Sequence, residues 1–307
     1  MRAATDALRA VGIEDPRLDA EILLAEATGL DRAALAAGAP IEPPAARRFG
    51  ELVRRRLRRE PVAYVVGRKG FRRLELAVDR RVLVPRPETE LLVEVALDLR
   101  PARVLDVGTG SGAIALAVAD ELPAAEVVAT DTSPGALEVA RANAERLGLT
   151  DRVRFFAGTL PWAGVKRGPG AEPGDEAEPF DLVLANLPYV AERDWPSLQP
   201  EVTQWEPKEA LLAGPDGLDA YRTLFAPRGC LFPGRPERGC LSFGIAEEKT
   251  TTRSGSGEKT TTVAVEVGEG QAPAVAELVR GAGWTRVETR RDLAGIERVV
   301  IGWGTGR

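Results

Sequence analysis

Apolar positions follow three successive rhythms along the chain: helical spacing, then alternation, then short apolar runs set between helical stretches. From Pro16, residues Leu18, Ile22, Leu23 and Leu24 fall on one helix face. Asp15-Pro16 offers a cap with proline at the first helical position, and Gly29 closes the segment. A further helix is expected from Pro44 to about Arg59. Phe49, Leu52, Val53 and Leu57 form its apolar stripe, arginines cover the rest, and Glu60-Pro61 ends it. Residues 1–62 are therefore expected to form a small helical domain.

Between Ala63 and Val84 the period shifts to two, with Leu74, Leu76, Val78, Val82 and Val84 alternating around Asp79-Arg80-Arg81. This pattern predicts a β-hairpin linker over residues 63–84, reversing at Asp79–Arg81. Pro85 to Arg100 opens a helix with acids in its early turns. Strands then alternate with helices, the signature of a parallel sheet in an α/β fold. Strands are expected at Arg103–Val107, Glu126–Thr130, Val153–Phe156, Phe180–Ala185, Val263–Val267 and Arg298–Ile301. Helices are expected at Ile114–Glu121, Gly135–Leu147 and Ala272–Ala282. Residues 85–307 make up this second domain. Gly164–Pro179, rich in glycine, proline and acids, reads as a surface loop. Residues 226–262 read as an insert, in which Glu248-Lys-Thr-Thr-Thr252 recurs as Glu258-Lys-Thr-Thr-Thr262 around a Gly/Ser turn.

Composition narrows the chemistry. No apolar run approaches the roughly 18–20 residues of a membrane span, and the first residues lack the apolar core of a signal peptide. Cys230 and Cys240 suit neither a disulfide framework nor, in a chain without histidine, a metal site. A cytoplasmic protein without metal is expected. The absence of histidine also excludes histidine-based triads and general bases. Net charge is -5, yet residues 47–86 hold fourteen Lys and Arg against four acids. That cluster reads either as a footprint for an acidic or RNA-bearing partner or as a solvated helix face.

Two motifs carry candidate chemistry. Asp106-Val107-Gly108-Thr109-Gly110-Ser111-Gly112 links an apolar strand to a helix, and its glycines admit a ligand close to the backbone. The turn also satisfies a relaxed dinucleotide pattern. Two acids favour S-adenosylmethionine over a dinucleotide. Asp106, two residues before the first glycine, suits a cationic amino-acid end and repels a pyrophosphate. Asp131 ends the next strand, where a carboxylate can accept ribose hydroxyls. The second motif, Asn186-Leu187-Pro188-Tyr189, ends the Phe180–Ala185 strand, and ligands of open parallel sheets bind beyond such strand ends. An amide nitrogen is a poor nucleophile because its lone pair is delocalised. The Asn186 side-chain oxygen and the Leu187 carbonyl can each accept one hydrogen of a flat NH2, Pro188 stiffens the backbone, and Tyr189 packs against the flat group.

At these residues the chain resembles the HemK/PrmC family, which methylates the glutamine of the Gly-Gly-Gln motif in class I peptide chain release factors. The resemblance covers nearly the whole chain, including PRLDAEILLA (Pro16–Ala25), EPVAYVVG (Glu60–Gly67) and VLVPRPETELLVE (Val82–Glu94). It continues through DVGTGSGAIALA, NLPYV, EPKEALLAGPDGLDAYR (Glu206–Arg222), EVGEGQ and DLAGIERVVIG. It implies a helical amino-terminal domain for the release factor and a Rossmann-like, seven-stranded class I methyltransferase domain. Asp106 to Gly110 would hold the methionine end of S-adenosylmethionine, with S-adenosylhomocysteine as product. Asp131 would take the ribose, and Thr159 or Leu160 the adenine. Asn186 would touch both cofactor and glutamine, making Asn186 and Tyr189 the catalytic pair within the clamp Asn186–Tyr189. Leu187 stands where the family usually has a proline, but the main-chain oxygen survives. A release factor is the expected partner, with no membrane and no stable nucleic-acid binding. Two other functions fit the same motifs: methylation of an adenine or cytosine amine, and cofactor binding without turnover.

Overall fold

The computed structural model describes residues 1–158, 180–226 and 261–304. The amino-terminal helices are α1 (Arg2–Ala10), α2 (Pro16–Thr28), α3 (Arg32–Ala36), α4 (Pro43–Leu57) and α5 (Val62–Val66). Gly29 ends α2 with φ 71°, a left-handed conformation that glycine adopts at little cost. On α4, Leu52 and Val53 are buried and pack with Leu23 and Val65, while Phe49 and Leu57 flank them. The apolar stripe read from sequence thus faces α2 and α5.

Arg56 departs from the expected solvated face of α4. It is 6% exposed, with Nε at 2.6 Å from Asp19 and Nη2 at 2.7 Å from Glu201. Arg59 reaches the same Glu201 at 2.5 Å and Gln199 at 2.7 Å. Glu201 lies in α9 (Pro200–Trp205), far along the chain, so these arginines tie the helical unit to the segment that follows the clamp. The basic cluster is largely engaged in this way. Arg55 pairs with Glu60, Arg48 and Arg68 with Glu26, Arg72 with Glu121, and Arg86 with Glu206.

The hairpin is shorter than the alternation suggested. It comprises β1 (Arg68–Phe71) and β2 (Leu74–Ala77) and reverses at Arg72-Arg73, not at Asp79–Arg81. Residues from Val62 to Val66 are helical, closed by Gly67 at φ 78°. Beyond β2, Asp79 folds back onto the Arg81 N–H at 3.0 Å, and Pro85 and Pro87 cannot donate to a ladder. Val78, Val82 and Val84 are buried all the same, against Tyr64, Ala136 and Val139. Packing, not pairing, produced their periodicity.

The remaining elements are α6 (Glu90–Leu99), β3 (Arg103–Val107), α7 (Ala113–Glu121), β4 (Glu126–Asp131), α8 (Pro134–Arg146), β5 (Val153–Ala157) and β6 (Leu182–Ala185). After α9 come α10 (Asp219–Leu224), β7 (Thr262–Glu266), α11 (Ala272–Gly281), β8 (Arg286–Arg291) and β9 (Glu297–Trp303). Seven strands form one sheet in the order β5-β4-β3-β6-β7-β9-β8. The first five run parallel, and β9 runs antiparallel to β7 and β8. Every residue of β3, β6 and β7 is buried, as expected for strands covered on both faces. Strand β8 was not foreseen: its sequence, RVETRR, is mostly charged and it forms an exposed edge. Asn143 of α8 joins hairpin to sheet. Its amide accepts from Ala77 N at 2.7 Å and donates to the Ala77 and Ser111 carbonyls at 3.0 and 2.9 Å. The threonine repeat before Thr261, Cys230 and Cys240 lie outside the described residues.

Replacing Arg56 with Met leaves the Asp19 carboxylate buried without its cation and takes one of two cations from Glu201, which costs about 3–5 kcal/mol by analogy with broken buried ion pairs. Urea unfolding should show the midpoint falling accordingly; a loss near zero would mean that Asp19 finds another partner.

Candidate functional site

Strand register assembles the site. Val107 of β3 pairs with Thr130 of β4 on one side and with Ala185 of β6 on the other. The next residues along the three strands are Gly108, Asp131 and Asn186, which come together at the carboxyl edge of the sheet. They border a cleft of about 710 Å³, within the usual range for small-molecule sites. One wall comes from Arg81 to Arg86 with Thr89, the other from Pro207 to Gly214 and the start of α10. The second wall is held by main-chain bonds between Val190 and residues Leu211 and Ala213 at 2.8 and 3.0 Å.

The glycine loop is shaped by its own backbone. Gly108 and Thr109 both donate to the Thr130 carbonyl at 2.9 Å, and Gly108 and Gly110 take φ values of 77° and 57°. A Cβ on Gly108 would meet Leu187 Cδ2 at 3.3 Å, so glycine keeps loop and clamp in close approach. Asp131 accepts from Gly110 N at 2.9 Å and from Ser133 N at 2.8 Å, and it remains at the cleft wall.

Asp106 does not face the cleft. It is fully buried, and its Oδ2 accepts from the Thr109 hydroxyl at 2.6 Å and from Ala115 N at 3.2 Å. Burial is the main reason that its pKa is pushed up to about 7, against the lowering effect of those two donors. Its Oδ1 is buried without a hydrogen-bond partner among the described residues. The carboxyl thus engages the first turn of α7, a place where a dinucleotide's pyrophosphate would need free N–H groups.

Asn186, Leu187 and Pro188 line the cleft, whereas Tyr189 stands behind them. Its hydroxyl donates to Glu266 Oε1 at 3.4 Å, and its carbonyl accepts from Gln271 at 2.9 Å. Asn186 Nδ2 donates to the Thr89 hydroxyl at 3.0 Å. Glu266 is 1% exposed, and burial above all raises its pKa to about 7. Sequence reading gave no role to Thr89 or Glu266. Their signal lay in PRPETE and EVGEGQ, recognised there only as motifs. Thr159 and Leu160 lie outside the described residues.

The unfolded chain loses the Asp106 proton near pH 4, the ordinary carboxylate value, and the native chain near 7. Between these limits the native state binds more protons, so this contribution to stability falls as pH rises. Asp106→Asn removes the titration. Its stability relative to wild type should climb from about pH 5 to about pH 7, with a slope approaching roughly 1.4 kcal/mol per unit. Urea melts of both proteins across that interval check this, and a constant difference contradicts it.

Residues 1–67 match the PrmC N-terminal domain, and residues 104–205 match a methyltransferase domain. The release factor glutamine methyltransferase of Geobacter sulfurreducens is 40% identical over 296 residues, covering 95% of this chain and 90% of its own length. The Caulobacter vibrioides protein of the same name is 39% identical, with 98% and 93% covered. Among solved structures, the hMettl16 catalytic domain in complex with MAT2A 3'UTR hairpin 6 superposes with TM-score 0.51 at 14% identity, covering 91% and 94%. That last likeness is one of fold. Identity near 40% along almost the full length of both curated relatives, with the amino-terminal domain included, shows that this chain belongs to the release factor glutamine methyltransferase family.

Proposed function

We propose that the chain transfers a methyl group from S-adenosylmethionine to the side-chain amide nitrogen of the Gly-Gly-Gln glutamine in class I release factors. The observation that carries this reading is the meeting of Gly108, Asp131 and Asn186 on one row at the mouth of a single cleft. In this reading the helices of residues 1–62 dock the release factor, residues 63–84 link, and residues 85–307 bind cofactor and substrate.

The lining suits that cofactor. Asp131 has one hydrogen bond on each oxygen and lone pairs left for ribose hydroxyls. Main-chain groups of Val107 to Gly110 would hold the amino-acid end, and Asp106 holds the loop in shape through Thr109. Bound there, S-adenosylmethionine supplies an electrophilic methyl group on a sulfonium. The protein's task is orientation. With Nδ2 committed to Thr89, Asn186 Oδ1 is the atom left to accept, and it and the Leu187 carbonyl would take the two hydrogens of the substrate amide. Positioning of this kind can lower a barrier by about 7–11 kcal/mol. As the nitrogen gains the methyl, one of its protons becomes acidic and leaves to water, so a chain without histidine needs no strong base. Tyr189 supports the clamp from behind.

The test is transfer of label from tritiated S-adenosylmethionine to a release factor and to its Gly-Gly-Gln variant with Gln→Ala. Labelling of the first alone is expected; equal labelling refutes the assignment. Asn186→Ala should cut kcat by about 100-fold or more while cofactor Kd shifts by about threefold at most, since its contribution is orientation. Calorimetry and single-turnover labelling separate the two, and unimpaired turnover removes Asn186 from the mechanism.

A further inference from the structure

A run of buried polar groups leads from the clamp into the sheet, from Thr89 at the cleft wall to Glu266. Thr89, 4% exposed, closes the 3-10 turn Pro87–Thr89 between the first wall and α6. Its hydroxyl oxygen receives the Asn186 Nδ2 hydrogen at 3.0 Å. The residue that follows Val265 across from Asn186 is Glu266, and the Thr89 hydroxyl is one of the groups that oppose the rise of its pKa. Glu266 ends β7, next to β6 in the sheet, so its placement follows from the register that places Asn186. Its Oε1 takes the Tyr189 hydroxyl, its main-chain oxygen takes the Tyr221 hydroxyl, and Oε2 is buried with no hydrogen-bond partner among the described residues, an acceptor left open.

A carboxamide can present either its oxygen or its NH2 to a neighbour, and a half-turn about its last bond exchanges them at almost no steric cost. Only the orientation with Oδ1 in the cleft accepts a hydrogen from a substrate NH2; the reverse sets two NH2 groups against each other. A hydroxyl has one hydrogen. If Thr89 gives it to a carboxylate oxygen, it can only accept from Asn186, and the carboxamide is locked. If that acceptor is lost, Thr89 can donate to Asn186 Oδ1 and turn the clamp the wrong way.

We propose that Thr89 and Glu266 are positioning residues that set the polarity of the clamp: Glu266 Oε2 takes the Thr89 hydrogen, Thr89 takes an Asn186 hydrogen, and Oδ1 is left facing the substrate. The proposal rests on the reading of Asn186 as the amide-binding residue. It also explains why an acid sits in a buried, otherwise uncharged strand, TVAVE. Buried polar groups at such positions are costly unless their partners are specified.

The chain contains only two asparagines, Asn143 and Asn186, which permits a direct test. In full-length protein labelled with 15N on asparagine side chains, two NH2 pairs should appear. Asn143, bonded to Ala77 and Ser111, serves as the internal reference. Thr89→Val keeps the shape and deletes the hydroxyl. It should speed hydrogen exchange of the Asn186 pair by about tenfold or more, with Asn143 unchanged, because a bonded N–H becomes free to open. Glu266→Gln keeps volume but offers one acceptor in place of two, and it should shift the Asn186 pair in the same manner. In methyl transfer to the release factor, both variants should lose about tenfold or more in kcat with KM for the release factor within about threefold, while Thr89→Ser recovers most of the loss. A merely structural role would move stability and both asparagines together, and serine would not discriminate. Asn186 signals unchanged in Thr89→Val and Glu266→Gln overturn the proposal. If wild type labels no release factor, the functional reading falls by itself, and the two NH2 pairs still decide whether the clamp's polarity is set from behind.

Discussion

Parallel pairing in register is the constraint on which everything else in this molecule depends. Three strands from distant parts of the chain end on the same row, so a loop glycine, an acid and an amide meet although 78 positions separate Gly108 from Asn186. Because side chains alternate along a strand, a slip of one residue in β6 would send the Asn186 side chain to the other face and put Leu187 in its place on the row. The fully buried faces of β3 and β6 prevent that slip only in combination with the helices that cover them. Site geometry and core packing are therefore one problem here. The core residues of the central strands are as much a part of the chemistry as the groups that line the cleft.

Much of this was legible in the sequence because the central strands are short apolar runs bounded by turn residues, and such runs leave few alternatives. Their bounds differ from the structure by a residue or two. Three features were misjudged, each for a local reason. The stretch Val78–Val84 alternates because each valine packs on Tyr64 or α8, and alternation is blind to whether a strand partner exists. Strand β8 pairs along β9 through its backbone while most of its side chains stay in water and only Val287 packs inward, so it carries little apolar signature. Arg56 lies within a run of arginines and looks like the others, yet its neighbours across space are Asp19 and Glu201. Partners distant in sequence leave no mark on spacing.

The candidate site shows the same limit at finer grain. Gly108, Thr109, Gly110 and Asp131 could be picked out because a ligand loop needs open backbone followed by an acid. Asp106 was picked out for a charge near the ligand, but the structure uses it as a buried brace for the loop. Thr89 and Glu266 could not be assigned from spacing at all. They belong to a turn and a strand end separated by most of the chain, and only the fold brings them to the clamp. Both buried acids, Asp106 and Glu266, have their affinity for protons raised by the loss of water around them. Neither lines the cleft; Asp106 is joined to it by the Thr109 hydroxyl, and Glu266 by the Tyr189 hydroxyl at the end of the clamp.

The arginine cross-link between α4 and α9 has a consequence for recognition. Asp19, Arg56, Arg59 and Glu201 bolt the amino-terminal helices to the peptide that runs on from Asn186, so these parts share one frame. A partner gripped by those helices would then be measured by a fixed caliper: a loop of the correct reach delivers its tip to the cleft, and a shorter or longer one misses. Selectivity in such a design resides in span, and the cleft itself can stay indifferent to everything but the last side chain.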